Sequence, residues 1–109
     1  MAQLTIIASA FSTIFAALGH GALAETRSAA HQFCAMQWAS DQARMTDCVG
    51  RQIDGARSIV RYLDWAKASP GPDGRHVVDT FEFCSNRWSP DFHRVDACLR
   101  ARALIAPPE

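Results

Sequence analysis

A sixteen-residue unit occurs twice in this chain, and its two copies together contain all four cysteines. The copies span residues 33–48 (FCAMQWASDQARMTDC) and residues 83–98 (FCSNRWSPDFHRVDAC). A chain of 109 residues with two copies of one cysteine-bearing unit is expected to fold as two copies of one small structure. The identical positions are Phe33/Phe83, Cys34/Cys84, Trp38/Trp88, Asp41/Asp91, Arg44/Arg94 and Cys48/Cys98.

The N-terminal segment differs in composition from the rest of the chain. Residues 1–24 contain no Asp, Glu, Lys or Arg, and they end in Ala-Leu-Ala, a pattern typical of a signal-peptidase site. We therefore expect a signal peptide over 1–24, cleaved before Glu25, and a helical domain over 25–109. The alternative is an uncleaved anchor, because residues 4–24 are about long enough to span the roughly 30 Å hydrocarbon core of a bilayer.

Apolar residues after the first unit and before the second recur at intervals of three and four, which is typical of amphipathic helices. Neither stretch shows the sustained alternation of a half-buried strand. We expect an all-α fold in which two repeats, about 27–68 and 76–105, are joined by a Pro/Gly loop over 69–75.

The spacing of the cysteines predicts a hairpin in each repeat. Two cysteines of one unit on a straight helix lie about 21 Å apart, whereas a disulfide requires Cα atoms within about 7 Å. An even number of cysteines in an exported chain usually forms disulfides. We expect Cys34–Cys48 and Cys84–Cys98 bonds, each closing an αα-hairpin, so that the mature chain is a small four-helix domain. Pairing between the two units remains an alternative.

The residues at each reversal predict where the second helix of the hairpin begins. In the second unit we expect Ser89 to cap that helix, Pro90 to take its first position and Asp91 to favour the positive end of its dipole. Asp41 occupies the matching place in the first unit. The repeated Asp and Arg, three residues apart, then form surface ion pairs. Acid–base catalysis by the two aspartates is the disfavoured interpretation.

Metal and thiol chemistry are not indicated by the residue spacing. Zinc sites usually use cysteine pairs two to four residues apart, and no Cys-x-x-Cys is present. His31 lies three residues before Cys34, but Phe81 holds the matching place in the second unit. We expect His31, His76 and His93 at or near the surface. The prediction is no catalytic residue, no metal ligand and no cofactor.

The tryptophans suggest both packing and contact. Trp38 and Trp88 follow the first cysteine of their units by one helical turn. We expect each indole to cover its disulfide, and stacking against a ligand is the alternative. Trp65 has no counterpart in the second unit and is the better candidate for an exposed contact residue.

The unit resembles a motif of small, uncharacterised exported proteins from bacteria and phages, which runs Cys-x3-Trp/Tyr-x2-Asp-Phe-x-Met-x3-Cys, often with Gln shortly afterwards. Arg44 and Arg94 stand where that motif has Met. The resemblance implies no activity. The matching residues are Cys34, Trp38, Asp41, Cys48 and Gln52 in the first unit, and Cys84, Trp88, Asp91, Phe92 and Cys98 in the second.

The function expected from these features is binding. Eleven acidic and eleven basic side chains balance one another, which argues against a nucleic-acid or anionic-membrane partner. We expect a small exported, non-enzymatic binding or accessory protein, periplasmic or secreted, with a protein partner or a second copy of itself. One alternative is a periplasmic stress chaperone or inhibitor that exposes apolar surface in acid. The other is a thiol-dependent redox or metal-binding protein.

Overall fold

A computed structural model describes residues 23–103, and this part of the chain forms four α-helices. The helices are α1 (Leu23–Trp38), α2 (Gln42–Ala68), α3 (Pro72–Trp88) and α4 (Phe92–Ala103). The predicted all-α fold is therefore confirmed. The predicted signal peptide lies outside the described residues except for its last two positions.

Each repeat is an antiparallel pair of helices closed by its own disulfide. Cys34 on α1 is bonded to Cys48 on α2, with Cα atoms 5.9 Å apart. Cys84 on α3 is bonded to Cys98 on α4, with Cα atoms 5.7 Å apart. The predicted pairing is confirmed, and the alternative of bonds between the units is wrong. In the chain-entropy model a closed loop of about 15 residues stabilises the fold by about 3 kcal/mol.

The second helix of each hairpin is capped by the repeated aspartate. The Asp41 side chain accepts a hydrogen bond from the backbone N–H of Arg44, and Asp91 accepts one from Arg94. The predicted cap at Ser89 is wrong, because that residue ends α3 and its N–H donates to the carbonyl of Ser85. A carboxylate at the cap reaches the third amide of the following helix, so α4 begins after Asp91 and not at the proline.

The connection between the repeats is shorter than predicted, because α3 begins at Pro72, inside the expected loop over 69–75. Proline suits the first turn of a helix, where its missing N–H has no partner to lose. Gly71 precedes it with φ 115°, a conformation that L side chains rarely adopt. Gly74 allows the tight turn, because a Cβ atom there would clash with the carbonyl oxygens of Ser69 and Ala66.

The main hydrophobic core lies between the C-terminal half of α2 and the whole second hairpin. α2 packs against both α3 and α4, whereas α1 packs extensively only against α2 within the described chain. Trp65 is half-buried against this core and is not an exposed side chain as predicted. The fully buried core residues include Ala56, Ile59, Tyr62, Val77, Cys84, Val95 and Leu99.

The disulfides indicate an oxidising compartment, because cytosolic reductants keep most thiols reduced. None of the helices over residues 23–103 has the length and apolar character required to cross a membrane. The alternative anchor over residues 4–24 falls almost wholly outside the described part of the chain.

The crossing of α2 over α4 is close at Gly55. A Cβ atom built on this residue would lie 2.6 Å from the carbonyl oxygen of Phe92 and 3.0 Å from the amide nitrogen of His93. Both are backbone atoms, which cannot rotate away as the end of a long side chain can. The absence of a side chain at Gly55 therefore allows α2 and α4 to approach this closely.

Replacing Gly55 by alanine should separate α2 from α4 and lower the free energy of unfolding by about 1–3 kcal/mol. Gly50→Ala on the same helix is the matched control, because no atom lies within 4 Å of the place that its added methyl group would take. This control should raise stability by about 0.5–1 kcal/mol through helix propensity. Urea unfolding of the oxidised proteins measures both, and equal effects would contradict the close crossing.

Candidate functional site

The repeated Trp, Asp and Arg form one contact group in the first hairpin. The guanidinium of Arg44 lies 3.5 Å from the Asp41 carboxylate and 4.6 Å from the centre of the Trp38 ring. Both charged side chains are partly solvated, so the ion pair itself contributes little, typically below about 1 kcal/mol. The aspartate caps the helix and holds the arginine over the indole face.

The second hairpin repeats this arrangement. Arg94 lies 3.6 Å from the Asp91 carboxylate and 4.9 Å from the centre of the Trp88 ring. Arg87 also lies 5.3 Å from the same ring. The repeated Arg six residues after the Trp was a signal for this contact, although the two residues were expected in separate roles. An arginine therefore lies against each indole ring. Stacking of a ligand on these rings was the alternative prediction.

Asp91 has a second role that Asp41 lacks, because it joins the two hairpins. Gln52 of α2 is only 3% exposed. Its Nε2 donates to Asp91 Oδ1 at 2.7 Å, and its Oε1 accepts from the backbone N–H of Phe92, also at 2.7 Å. The Asp91 side chain is accordingly 19% exposed, against 45% for Asp41. One buried amide therefore ties α2 to the start of α4.

The repeat is not symmetric at this point. The position equivalent to Gln52 in the second repeat is Arg102, whose guanidinium lies 4.2 Å from the centre of the Phe83 ring. Its backbone carbonyl lies 3.3 Å from Nε2 of His76. Phe83 is therefore repeated in sequence but has different surroundings from its counterpart, beside α4 and not at the junction of the hairpins.

A shallow cleft of about 380 Å³ lies where the first hairpin meets the start of α4. It brings together residues of both sequence units, including Trp38 and Arg44 from the first and Asp91 from the second. The repeated Trp88 and Arg94 do not line it. The lining residues are Phe33, Gln37, Trp38, Arg44, Asp47, Cys48, Arg51, Gln52, Asp91 and His93.

The chemistry of this cleft is that of a contact surface. Its ionic groups are mixed, and Arg51 pairs with Asp47 at 3.1 Å while both remain exposed. Met36, one turn along α1 from Phe33, is 75% exposed, the most exposed large apolar side chain of the described chain. An aromatic wall, solvated charges and an exposed methionine suit contact with another protein.

The described residues provide no group of three His, Cys, Asp or Glu side chains that could hold a metal ion. All four cysteines are in disulfides. His31, His76 and His93 are exposed, as predicted. His93 lines the cleft, whereas His31 lies on the other flank of α1.

Tyr62 is a buried ionisable group that no sequence motif indicated. The side chain is fully buried on α2, and its hydroxyl has no hydrogen-bond partner among the described residues. Burial raises the pKa of Tyr62, Arg100 opposes this effect and Asp96 adds to it. Arg100 is bound to Asp96 and also donates to Ser58 Oγ at 2.9 Å, which links α4 to α2 beside the core.

Comparisons of this chain with protein-family models, with curated proteins and with solved structures gave no significant match. The site is therefore interpreted from its own residues.

The two capping aspartates should differ in their contribution to stability. Asp41→Ala removes a cap and should cost about 1 kcal/mol. Asp91→Ala removes the same cap and also leaves the buried amide of Gln52 without its acceptor, which should bring the loss to about 2 kcal/mol or more. Denaturant unfolding measures both variants. The variant Gln52→Ala should show coupling to Asp91→Ala of at least about 0.5 kcal/mol, and equal losses for the two aspartates would contradict the link.

Tyr62 should make the fold sensitive to alkaline pH. Because its pKa is raised on folding, its contribution to stability is complete below the unfolded pKa of about 10 and is lost as pH rises above it. It is the chain's single tyrosine, so ultraviolet absorbance of tyrosinate reports its titration directly. Tyr62→Phe should remove this contribution to the loss of stability at alkaline pH, and it should change the free energy of unfolding little at neutral pH. Titration of the folded protein at an ordinary tyrosine pKa would contradict the burial argument.

Proposed function

We propose that this chain is an exported, non-enzymatic binding or accessory protein that contacts a protein partner through the cleft and the neighbouring Met36. The proposal combines the signal-peptide pattern over 1–24 with the disulfides of the folded domain. Two disulfide-bonded hairpins form a small scaffold. The first hairpin carries most of the cleft and the exposed Met36, which suit an interface.

The observation that carries this proposal is the exposed apolar side chain of Met36, one helical turn from the cleft residue Phe33. Met36 has no repeat equivalent of its own kind, because Asn86 stands at the matching position of the second unit. Phe33 is half-buried and lines the cleft, and Met36 lies one turn further along the same helix. Flexible methionine beside an aromatic side chain is common at protein contact surfaces. The first hairpin is therefore the favoured side for a partner.

The alternative of a thiol-dependent or metal-binding protein has less support. Both disulfides would have to be reduced before any cysteine became a nucleophile or a ligand. The described residues of the cleft also include no group of three His, Cys, Asp or Glu side chains that could hold a metal ion. Binding requires only the surface that is present.

Site-specific crosslinking in cells that export the protein tests the proposal. A photoreactive amino acid at position 36 should give a discrete crosslinked protein band, because this position is exposed one helical turn from the cleft residue Phe33. The matched control is the same probe at position 86, the exposed repeat equivalent on α3. The band should appear with the first probe and not with the second.

Two variants sharpen this experiment. Arg51→Glu changes the charge of the cleft at an exposed position and should weaken the crosslink at position 36, whereas Arg75→Glu on the second hairpin should not. The intact mass of the same exported protein should correspond to a chain that begins at Glu25. Identical bands from positions 36 and 86, or none from either, would contradict a partner at the cleft.

A further inference from the structure

A second concave surface lies on the other flank of α1. This groove has a volume of about 710 Å³ and is open to solvent along the α1–α2 hairpin. It shares no lining residue with the cleft. Its lining residues are Arg27, Ser28, His31 and Gln32 from α1, and Thr46, Val49, Gly50 and Ile53 from α2.

The fifty-residue repeat identifies the equivalent of this groove in the second hairpin. There four of the eight matching positions belong to the hydrophobic core or pack against it: Val77, Leu99 and Ala103 are at most 1% exposed, and Phe81 is partly buried. They are covered by α2, whose Ile59 and Tyr62 belong to the same cluster. The equivalent surface of the second hairpin is therefore the binding surface of a helix.

The groove in the first hairpin lacks such a helix among the described elements. The symmetric counterpart of the covering segment would be a continuation of α4. α4 is described as far as Ala103, the equivalent of Ile53, whereas α2 continues beyond Ile53 to Ala68. Val49 and Ile53 remain only half-buried.

The side chains around the groove differ in charge from their equivalents in the second repeat, where Glu82, Asp96 and Arg100 correspond to Gln32, Thr46 and Gly50. Arg27 and His31 replace the equivalents Val77 and Phe81, and Thr46 replaces an aspartate. The lining therefore has one guanidinium and no carboxylate. Arg27 has no ion-pair partner within residues 23–103. An apolar floor with a cationic edge complements an amphipathic helix with an acidic flank.

We propose that the groove binds an amphipathic α-helix of a partner protein, with its apolar stripe on Val49 and Ile53 and its carboxylates near Arg27. The inference rests on the proposed binding function and assigns the partner's secondary structure and charge. The helix that covers the equivalent surface presents its buried residues at 59, 62 and 66, so the partner helix is expected to carry apolar residues at the same three- and four-residue spacing.

A synthetic peptide based on the covering helix provides the probe. It carries the sequence of residues 54–68 with Arg57→Glu, Arg61→Glu and Lys67→Glu, which keeps the apolar stripe and makes its flank acidic. Fluorescence anisotropy of the labelled peptide, titrated with the oxidised protein isolated after export, should show saturable binding. The unmodified peptide should bind at least about tenfold more weakly, because its flank is basic.

Variants of the protein locate the binding site. Arg27→Glu should weaken binding of the acidic peptide at least about tenfold. Gly50→Tyr should also abolish it by filling the groove, since Gly50 is exposed and no side chain or other helix lies within 4 Å of a Cβ at this position. Arg75→Glu is the control with the same charge change on the second hairpin. Circular dichroism verifies that each variant is folded.

Several results would overturn the inference. They are no saturable binding, equal binding of the acidic and basic peptides, or binding unaffected by Arg27→Glu and Gly50→Tyr. If the protein self-associates and Gly50→Tyr abolishes this association, the groove binds a second copy of this chain. Binding only by chains that lack residues 1–24 would make that segment the occupant. A crosslink failure at position 36 with intact peptide binding would refute the cleft and leave the groove standing.

Discussion

Each disulfide joins the two helices of one hairpin about seven residues from the aspartate that caps the second helix. Helices as short as α4 are marginal alone in water, because nucleation is costly. Closing each loop adds about 3 kcal/mol in the chain-entropy model, a large part of the roughly 5–15 kcal/mol of a typical domain. This constraint holds α1 beside α2, the one helix within residues 23–103 against which it packs extensively.

The interactions that join the two hairpins differ from the disulfides and helix caps that form each hairpin. At Gly55 the backbones of α2 and α4 approach closely because no side chain separates them. One turn away, the buried amide of Gln52 bonds to both Asp91 and the backbone of Phe92. A buried amide needs both of its hydrogen-bonding ends satisfied, so these bonds favour a single register of α2 against α4. The relative position of the repeats thus depends on one small residue and one polar residue.

The two repeats are similar in sequence, but α2 is much longer than the described part of α4, so the two hairpins are not packed in the same way. α2 is long enough to form its own hairpin and then to cover the second one, whereas the described part of α4 contacts the first hairpin through α2 and contributes no residue to the groove between α1 and α2. The second hairpin is therefore the centre of the hydrophobic core, and the first presents the cleft and the groove to solvent. Both binding proposals concern the first hairpin for this reason, and they concern opposite flanks of it.

Local chemistry explains most of what the sequence predicted correctly. The period of the apolar residues indicated helices, and the distance between cysteines on a straight helix required a reversal in each unit. The repeated Asp and Arg indicated a helix start, although Ser89 was wrongly given the cap because serine and aspartate are both good capping residues. These are interactions among residues close in the chain, and a sequence displays them directly.

The sequence by itself determined the helical fold, and it favoured a chain reversal near each repeated aspartate with a disulfide inside each unit. Only the tertiary structure decided how the hairpins pack: Gln52 finds its partners 39 and 40 residues away, and Trp65 turns toward the core. It also decided that equivalent surfaces are covered in one repeat and open in the other. Periodicity shows which face of a helix is apolar, but not which helix covers it, because that depends on crossing positions and helix lengths summed over the whole fold.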